Sequence, residues 1–148
     1  MVVLILISIV AGGSIYSLIP FYKTYRFRAE VTALYDLAQE LQLEALTLQS
    51  DMQIRFTKEK GKWVAKSESE EKTLKPQIVD LSHVEQVEGT LSITFYSNGL
   101  IEPKKSICLG RGDEKRGLDL REPPLIRLWI GSPQKIERIT LPHGEKWK

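Results

Sequence analysis

The first half of the chain passes from an unbroken apolar run to a regular apolar stripe. Met1 to Tyr22 contains no charged side chain, and Val2 to Ile7 is apolar at every position. A helix lying on a soluble core has a polar face, which this run lacks. As a helix, residues 1–22 would extend roughly 33 Å, close to the ~30 Å hydrocarbon thickness of a bilayer. The pattern predicts an uncleaved transmembrane helix over residues 1–22.

Two other interpretations of this run fit less well. A cleaved secretory signal has basic residues before its apolar core and a small-residue cleavage site. No Lys or Arg precedes the run, and Ala11 to Ser14 matches a cleavage site only loosely. A buried helix of a soluble domain would need a larger core than 148 residues supply. Within the helix, Gly12-Gly13 and Pro20 lower helix propensity and predict a kink or a local loosening.

The next segment, residues 23–52, keeps a helical period but becomes amphipathic. Its apolar residues recur at alternating steps of four and three, and no Gly or Pro interrupts the chain from Phe21 to Met52. We therefore predict one continuous helix of about 50 residues, which at the usual rise per residue is roughly 75 Å long. A coiled coil is the alternative, but Ala38 and Ala45 favour close packing against a sheet. The predicted helix-to-sheet packing residues are Phe27, Val31, Leu34, Ala38, Leu41, Ala45, Leu48 and Met52.

Charge is segregated along this helix, with bases first and acids after them. The bases are Lys23, Arg26 and Arg28, and the acids are Glu30, Asp36, Glu40, Glu44 and Asp51. One interpretation is a solvated face with a basic collar at the membrane. The other is that staggered copies pair the collar of one subunit with acids of the next. Such exposed pairs contribute only ~0–1 kcal/mol each. They would therefore fix the register between neighbouring subunits but would not supply the free energy that holds the subunits together.

The remaining residues, 53–148, show short strands separated by turn signals. Alternation and turn residues predict a hairpin of Gln53–Thr57 with Lys62–Ala65, turned at residues 58–61. Asn98-Gly99 is the strongest short hairpin signal, because both turn residues tolerate positive φ. The other predicted strands are Gln77–Leu81, Thr90–Tyr96, Leu100–Ile101, Lys105–Leu109, and a last hairpin of Leu125–Ile130 with Ile136–Leu141, turned at Gly131–Pro133. Residues 66–75 and 110–122 are predicted as loops. The fold class is therefore α+β, with a long N-terminal helix packed on an antiparallel β-sheet domain.

Composition limits the classes of function. A chain of 148 residues with net charge +2 has room for one anchor and one small domain. Nucleic acid is not expected as a partner, because a basic footprint would be large and clustered. Cys108 is the only cysteine, so no intramolecular disulfide can form, and the compartment stays open.

No constellation of catalytic or metal-binding residues stands out. His83 and His143 are far apart and lack a second ligand at metal spacing. Cys108 lies in a predicted strand, which favours inert burial over a nucleophile. Gly110 to Asp113 lacks the strand-then-helix context of a phosphate loop. We predict no catalytic residue, no metal, no cofactor and no enzymatic activity.

Several segments resemble the type IV pilin superfamily, which includes the pilins and the pseudopilins of type II secretion. The N-terminal run VVLILISIVAGGS resembles the N-terminal segment of these subunits. The segments RFRAEVTALYDLAQELQLEAL, ITFYSNGL and IRLWIGSPQKIERITL resemble the minor pseudopilin GspH and its FimT-like relatives. The resemblance extends over most of the chain, and it is more specific in the helix than in the β-region.

The resemblance implies a pilin-like fold and a role in assembly. The subunit would wait in the bacterial inner membrane as a single-pass protein, with residues 53–148 in the periplasm. It would then join other pseudopilins or pilins in a filament that helps to export folded proteins, and it would contact secreted substrates. The membrane and assembly residues are Val2, Val3, Leu4, Ile5, Leu6, Ile7, Ile9, Val10, Gly12, Gly13 and Ile15, with small residues allowing close helix approach.

Two features depart from the family pattern. Met1 stands inside the apolar run, which fits either a true start further upstream or a truncated copy that cannot be processed. We expect the first, with a further segment upstream of Met1. That segment would hold a basic leader, the prepilin peptidase site, a methylated terminus and an acidic docking residue. Lys23, Arg26 and Arg28 would alone place the C-terminal side in the cytoplasm, and we expect the leader to reverse this. A type IV pilus subunit and a monomeric membrane-anchored binding domain remain the alternatives.

Overall fold

The computed structural model describes residues 2–71 and 74–131 and consists of one long helix followed by nine strands. The predicted strand Ile136–Leu141 and His143 lie outside the described residues. The elements are α1 (Val2–Leu48), β1 (Met52–Glu59), β2 (Lys62–Ser69), β3 (Ile78–Leu81), β4 (Gln86–Glu88), β5 (Ser92–Phe95), β6 (Ile101–Glu102), β7 (Ser106–Arg111), β8 (Glu114–Asp119) and β9 (Arg127–Ile130).

Helix α1 is continuous through the apolar run and the striped segment, as predicted. Its 47 residues correspond to about 70 Å. Pro20 lies inside the helix without ending it, and the Thr24 hydroxyl donates to the Pro20 carbonyl (3.0 Å). The helix ends at Leu48, and Gln49 follows with φ 52°, the left-handed conformation of a helix C-terminus. The predicted end at Met52 is therefore wrong, and Met52 is the first residue of β1.

The strands form two antiparallel sheets and not one. Sheet A has the order β3-β2-β1-β5-β6, and sheet B has the order β4-β7-β8-β9. All the pairings are antiparallel, so the α+β class is confirmed for the described residues. Helix α1 contacts both sheets, and its buried stripe shares one core with Ile54 and Ile93 of sheet A and Ile107 and Leu118 of sheet B.

The turns correct several local predictions. The hairpin β1–β2 is confirmed, and its two-residue turn, Lys60 (φ 51°) and Gly61 (φ 78°), has positive φ at both positions. This is the signature of a type I′ turn. At Asn98-Gly99, by contrast, only Gly99 has positive φ (88°), and its N–H donates to the Tyr96 carbonyl (3.0 Å). Gly99 thus follows a turn and is not one of two left-handed residues.

Two predicted loops are partly strands. Residues 66–69 extend β2, because Ser67 faces the core at 5% exposure while its polar neighbours face outward. Residues 110–122 contain the end of β7 and all of β8, joined by a turn at Gly112-Asp113. Strand β8 is predicted as a loop because it carries many charged residues. Its backbone nevertheless pairs in register with β7. Strand β4 had no predicted counterpart.

Candidate functional site

The most unusual surface of the molecule is the N-terminal part of α1, which extends beyond the β-domain. All the large apolar side chains of the predicted membrane and assembly set are exposed, with values between 56% at Leu6 and 70% at Val2. None of the most apolar stretch of the helix is buried against the rest of the described structure. By length and composition the helix can cross a membrane. A core helix of a soluble domain would be mostly buried, and this one is not.

Glycine opens one part of this surface. A Cβ placed on Gly12 or Gly13 would meet nothing within 4 Å. The two glycines therefore leave bare backbone on the projecting helix. Close approach of a second helix is possible where small residues remove side-chain bulk.

The striped part of α1 lies against the β-domain. Six of the eight predicted packing residues are buried on the helix, each at 2% exposure or less: Phe27, Val31, Leu34, Ala38, Leu41 and Ala45. Leu48 is 43% exposed at the helix terminus, where the stripe has turned away from the sheets. Met52 is buried, but it packs from β1.

An ion-pair cluster joins α1 to the hairpin β7–β8. The Glu114 carboxylate accepts from Arg28 Nε (2.8 Å) and from Arg116 Nε (3.0 Å). Burial alone would raise the pKa of Glu114, but the hydrogen bonds from Arg28 and Arg116 outweigh it and hold that pKa below the usual 4.5. Arg28 is thus part of a structural contact and not of a free basic collar.

A second polar contact joins α1 to the segment between β3 and β4. Glu30 is only 7% exposed, and its carboxylate accepts from the His83 N–H (3.0 Å) and from His83 Nδ1 (2.6 Å). A carboxylate only accepts, which places the ring hydrogen of His83 on Nδ1. The His83 carbonyl in turn accepts from Arg111 Nη1 of β7 (2.9 Å). The three elements are therefore linked through His83.

Sequence reasoning missed both contacts, because their partners are far apart along the chain. Glu30 and His83 are separated by 53 residues, and Arg28 and Glu114 by 86. The available signal was Glu30 itself, which follows Arg28 closely and falls beside the apolar stripe at Val31. An acid at the edge of a buried stripe requires a donor.

The residues considered for chemistry do not form a reactive centre in the described part of the chain. Cys108 is buried beside Trp129, and this burial raises the pKa of its thiol. Gly110 and Arg111 end β7, and Gly112-Asp113 forms the turn. Residues 2–71 and 74–131 contain no group of three His, Cys, Asp or Glu side chains placed to hold a metal ion.

Comparison with known proteins adds no relative. The chain matches no family model, no curated protein and no solved structure. The site is therefore defined by its geometry alone: an exposed apolar half-helix, continuous with a half-helix that is fixed to a β-domain.

Proposed function

We propose that the protein is a membrane-anchored, pilin-like structural subunit. Within this class, we propose a minor pseudopilin of a type II secretion system. It is held in the bacterial inner membrane by residues 2–22, with its β-domain in the periplasm. Its partners are other pseudopilins, and its role is assembly in support of the export of folded proteins, not catalysis.

The observation that supports the proposal most is the division of one helix into two environments. Residues 27–45 of α1 carry a buried stripe, whereas the apolar residues from Val2 to Tyr22 are exposed. Exposed apolar surface on this scale requires lipid or another protein to cover it. A continuous helix transmits the position of the β-domain directly to the membrane segment.

In the proposed assembly step, the lipid around the exposed half of α1 is replaced by the helices of other subunits. In lipid the apolar residues are already removed from water, so helix association is driven by packing and not by the hydrophobic effect. The bare backbone at Gly12 and Gly13 allows helices to approach closely. The rest of the support is the resemblance of the N-terminal run and the striped segment to pilin-like subunits.

Cysteine crosslinking within the membrane segment tests this proposal. Single cysteines are placed at Leu4, Ile7, Val10 and Ile15 of the full chain, produced in membranes that also contain the pseudopilins encoded with it. We expect oxidation to give ladders of adducts with copies of the chain or with those pseudopilins. The unmodified chain is the control for Cys108, which is buried, and Lys60→Cys reports collisions of β-domains.

Two outcomes would count against the proposal. Monomers at every helix position would support a single anchored domain that acts alone. A processed protein released from the membrane without its first twenty or so residues would identify the run as a secretory signal.

A further inference from the structure

A cleft lies where the hairpin β7–β8 meets the emerging end of the membrane segment. It has a volume of about 520 Å³ and is lined on the helix side by Ile19, Pro20, Lys23 and Thr24, and on the hairpin side by Gly112 and Asp113 among others. The hairpin is fixed there, because Arg28 of α1 binds Glu114 at the start of β8. The cleft is therefore bounded by a hairpin that an ion pair attaches to α1.

The position of the cleft corresponds to a membrane surface. The helix has no charged side chain before Lys23, so the hydrocarbon of a bilayer would end near Tyr22. Phe21, Tyr22 and Tyr25 are exposed around the same level. Trp and Tyr side chains collect at the headgroup level of membrane proteins, which fits Tyr22 and Tyr25. The cleft thus opens among lipid headgroups, with Ile19 and Pro20 on its apolar side.

Two charges of opposite sign in this cleft lack partners. Among the residues that the structure describes, neither the Lys23 ammonium nor the Asp113 carboxylate takes part in a hydrogen bond or an ion pair. The other charged groups of the cleft are already engaged. Glu114 binds Arg28, and Glu85 accepts from the Gly112 N–H (3.1 Å) and lies 3.8 Å from Arg111.

We propose that this cleft binds the headgroup of a zwitterionic phospholipid that ends in a primary ammonium. Lys23 donates to the phosphate, Asp113 accepts from the ammonium, and Ile19 and Pro20 contact the start of the acyl chains. A trimethylated headgroup keeps its charge but donates no hydrogen bond to Asp113. An anionic glycerol headgroup offers Asp113 no cation. The cleft therefore selects phosphatidylethanolamine over phosphatidylcholine and phosphatidylglycerol.

Lipid binding to the full-length protein tests the proposal. The protein is placed in micelles with equal amounts of dioleoyl phosphatidylethanolamine, phosphatidylcholine and phosphatidylglycerol, and adducts are counted by native mass spectrometry. We expect about fivefold more adducts with the ethanolamine lipid, the ratio that one exposed charge pair supports. The double change Lys23→Gln with Asp113→Asn is expected to reduce that ratio to about one.

Matched controls separate the cleft from general charge effects. Arg26→Gln and Asp36→Asn remove the same charges from exposed positions on α1 that do not line the cleft, and the ratio should stay unchanged. Equal binding of the three lipids, or controls that lower the ratio as much as the cleft variants, would overturn the proposal. The inference rests on the membrane span of the proposed function and not on assembly. If the protein selects the ethanolamine lipid but gives no crosslinked ladders, only the assembly proposal is rejected. If it gives ladders but binds the three lipids equally, only the lipid site is rejected.

Discussion

At the scale of single residues, Gly117 of β8 has the least room for a side chain among the glycines that the structure describes. A Cβ there would lie 1.8 Å from the Ile107 carbonyl oxygen and 2.9 Å from the Trp129 ring. Neither atom can yield easily, because the oxygen belongs to the backbone of β7 and the ring is buried at 5% exposure. A side chain is therefore excluded at Gly117 by the Ile107 carbonyl of β7 and by the Trp129 ring of β9.

We predict that Gly117→Ala destabilises the protein by at least ~3 kcal/mol, the upper part of the range for overpacking. Gly110→Ala is the matched control, since Gly110 is also a strand glycine and its Cβ would meet only the Gln86 side chain, at 3.6 Å. We expect less than about 1 kcal/mol for that change. Unfolding of both variants in urea gives the two free energies. Similar losses would show that the close approach of Ile107 and Trp129 does not exclude a side chain at Gly117.

At the scale of secondary-structure elements, the cluster of Arg28, Glu114 and Arg116 makes the contact of α1 with β8 sensitive to acid. The folded-state pKa of Glu114 lies below 4.5, its ordinary value. The unfolded chain therefore binds the proton more tightly, and the contribution of Glu114 to stability is complete above that ordinary value. It is lost as the pH falls through the lowered pKa of the folded state.

We predict that Glu114→Gln flattens the acid side of the stability profile, measured as the melting temperature between pH 7 and pH 3. The variant loses stability at pH 7, and its difference from the wild type shrinks as the pH decreases below about 4.5, the ordinary glutamate value. Glu102→Gln is the control, because within residues 2–71 and 74–131 the Glu102 carboxylate accepts from the Tyr96 hydroxyl alone, at an exposed site. A constant difference over the whole range would contradict the role given to Glu114.

The secondary-structure elements also show which parts of the fold can be predicted from local sequence pattern. The helix and the hairpin β1–β2 follow from periods of 3.6 and 2 and from turn residues close in sequence. Strand β8 does not, because EKRGLD shows no alternation of buried and exposed residues. Its Glu114 has a partner on α1, far away in sequence, and its Gly117 is required by the close approach of Ile107 and Trp129. The second sheet and the Glu30–His83 contact depend on pairs that only the folded chain brings together.

At the scale of the whole molecule, the helix must stay fixed to both sheets if the membrane segment is to carry the β-domain with it. Glu30 is the buried polar contact of that attachment, because it binds His83, whose carbonyl accepts a hydrogen bond from Arg111 of sheet B. The apolar stripe supplies most of the adhesion, but it is non-directional. The buried carboxylate adds a fixed register of α1 against the two sheets.

We predict that Glu30→Ala leaves the fold intact but loosens the striped half of α1. Removal of the carboxylate leaves the His83 N–H without its acceptor and leaves the ring only the Ser82 hydroxyl, 3.3 Å from Nδ1. The cost of an unsatisfied buried group is ~1–3 kcal/mol. Amide hydrogen exchange should rise over residues 27–41 and around His83, whereas residues 52–59 of β1 keep their protection. Asp36→Ala, at an exposed position of the same helix, should change neither region. If both variants exchanged like the wild type, the stripe alone would hold the helix, and the register would be set without the Glu30 contact.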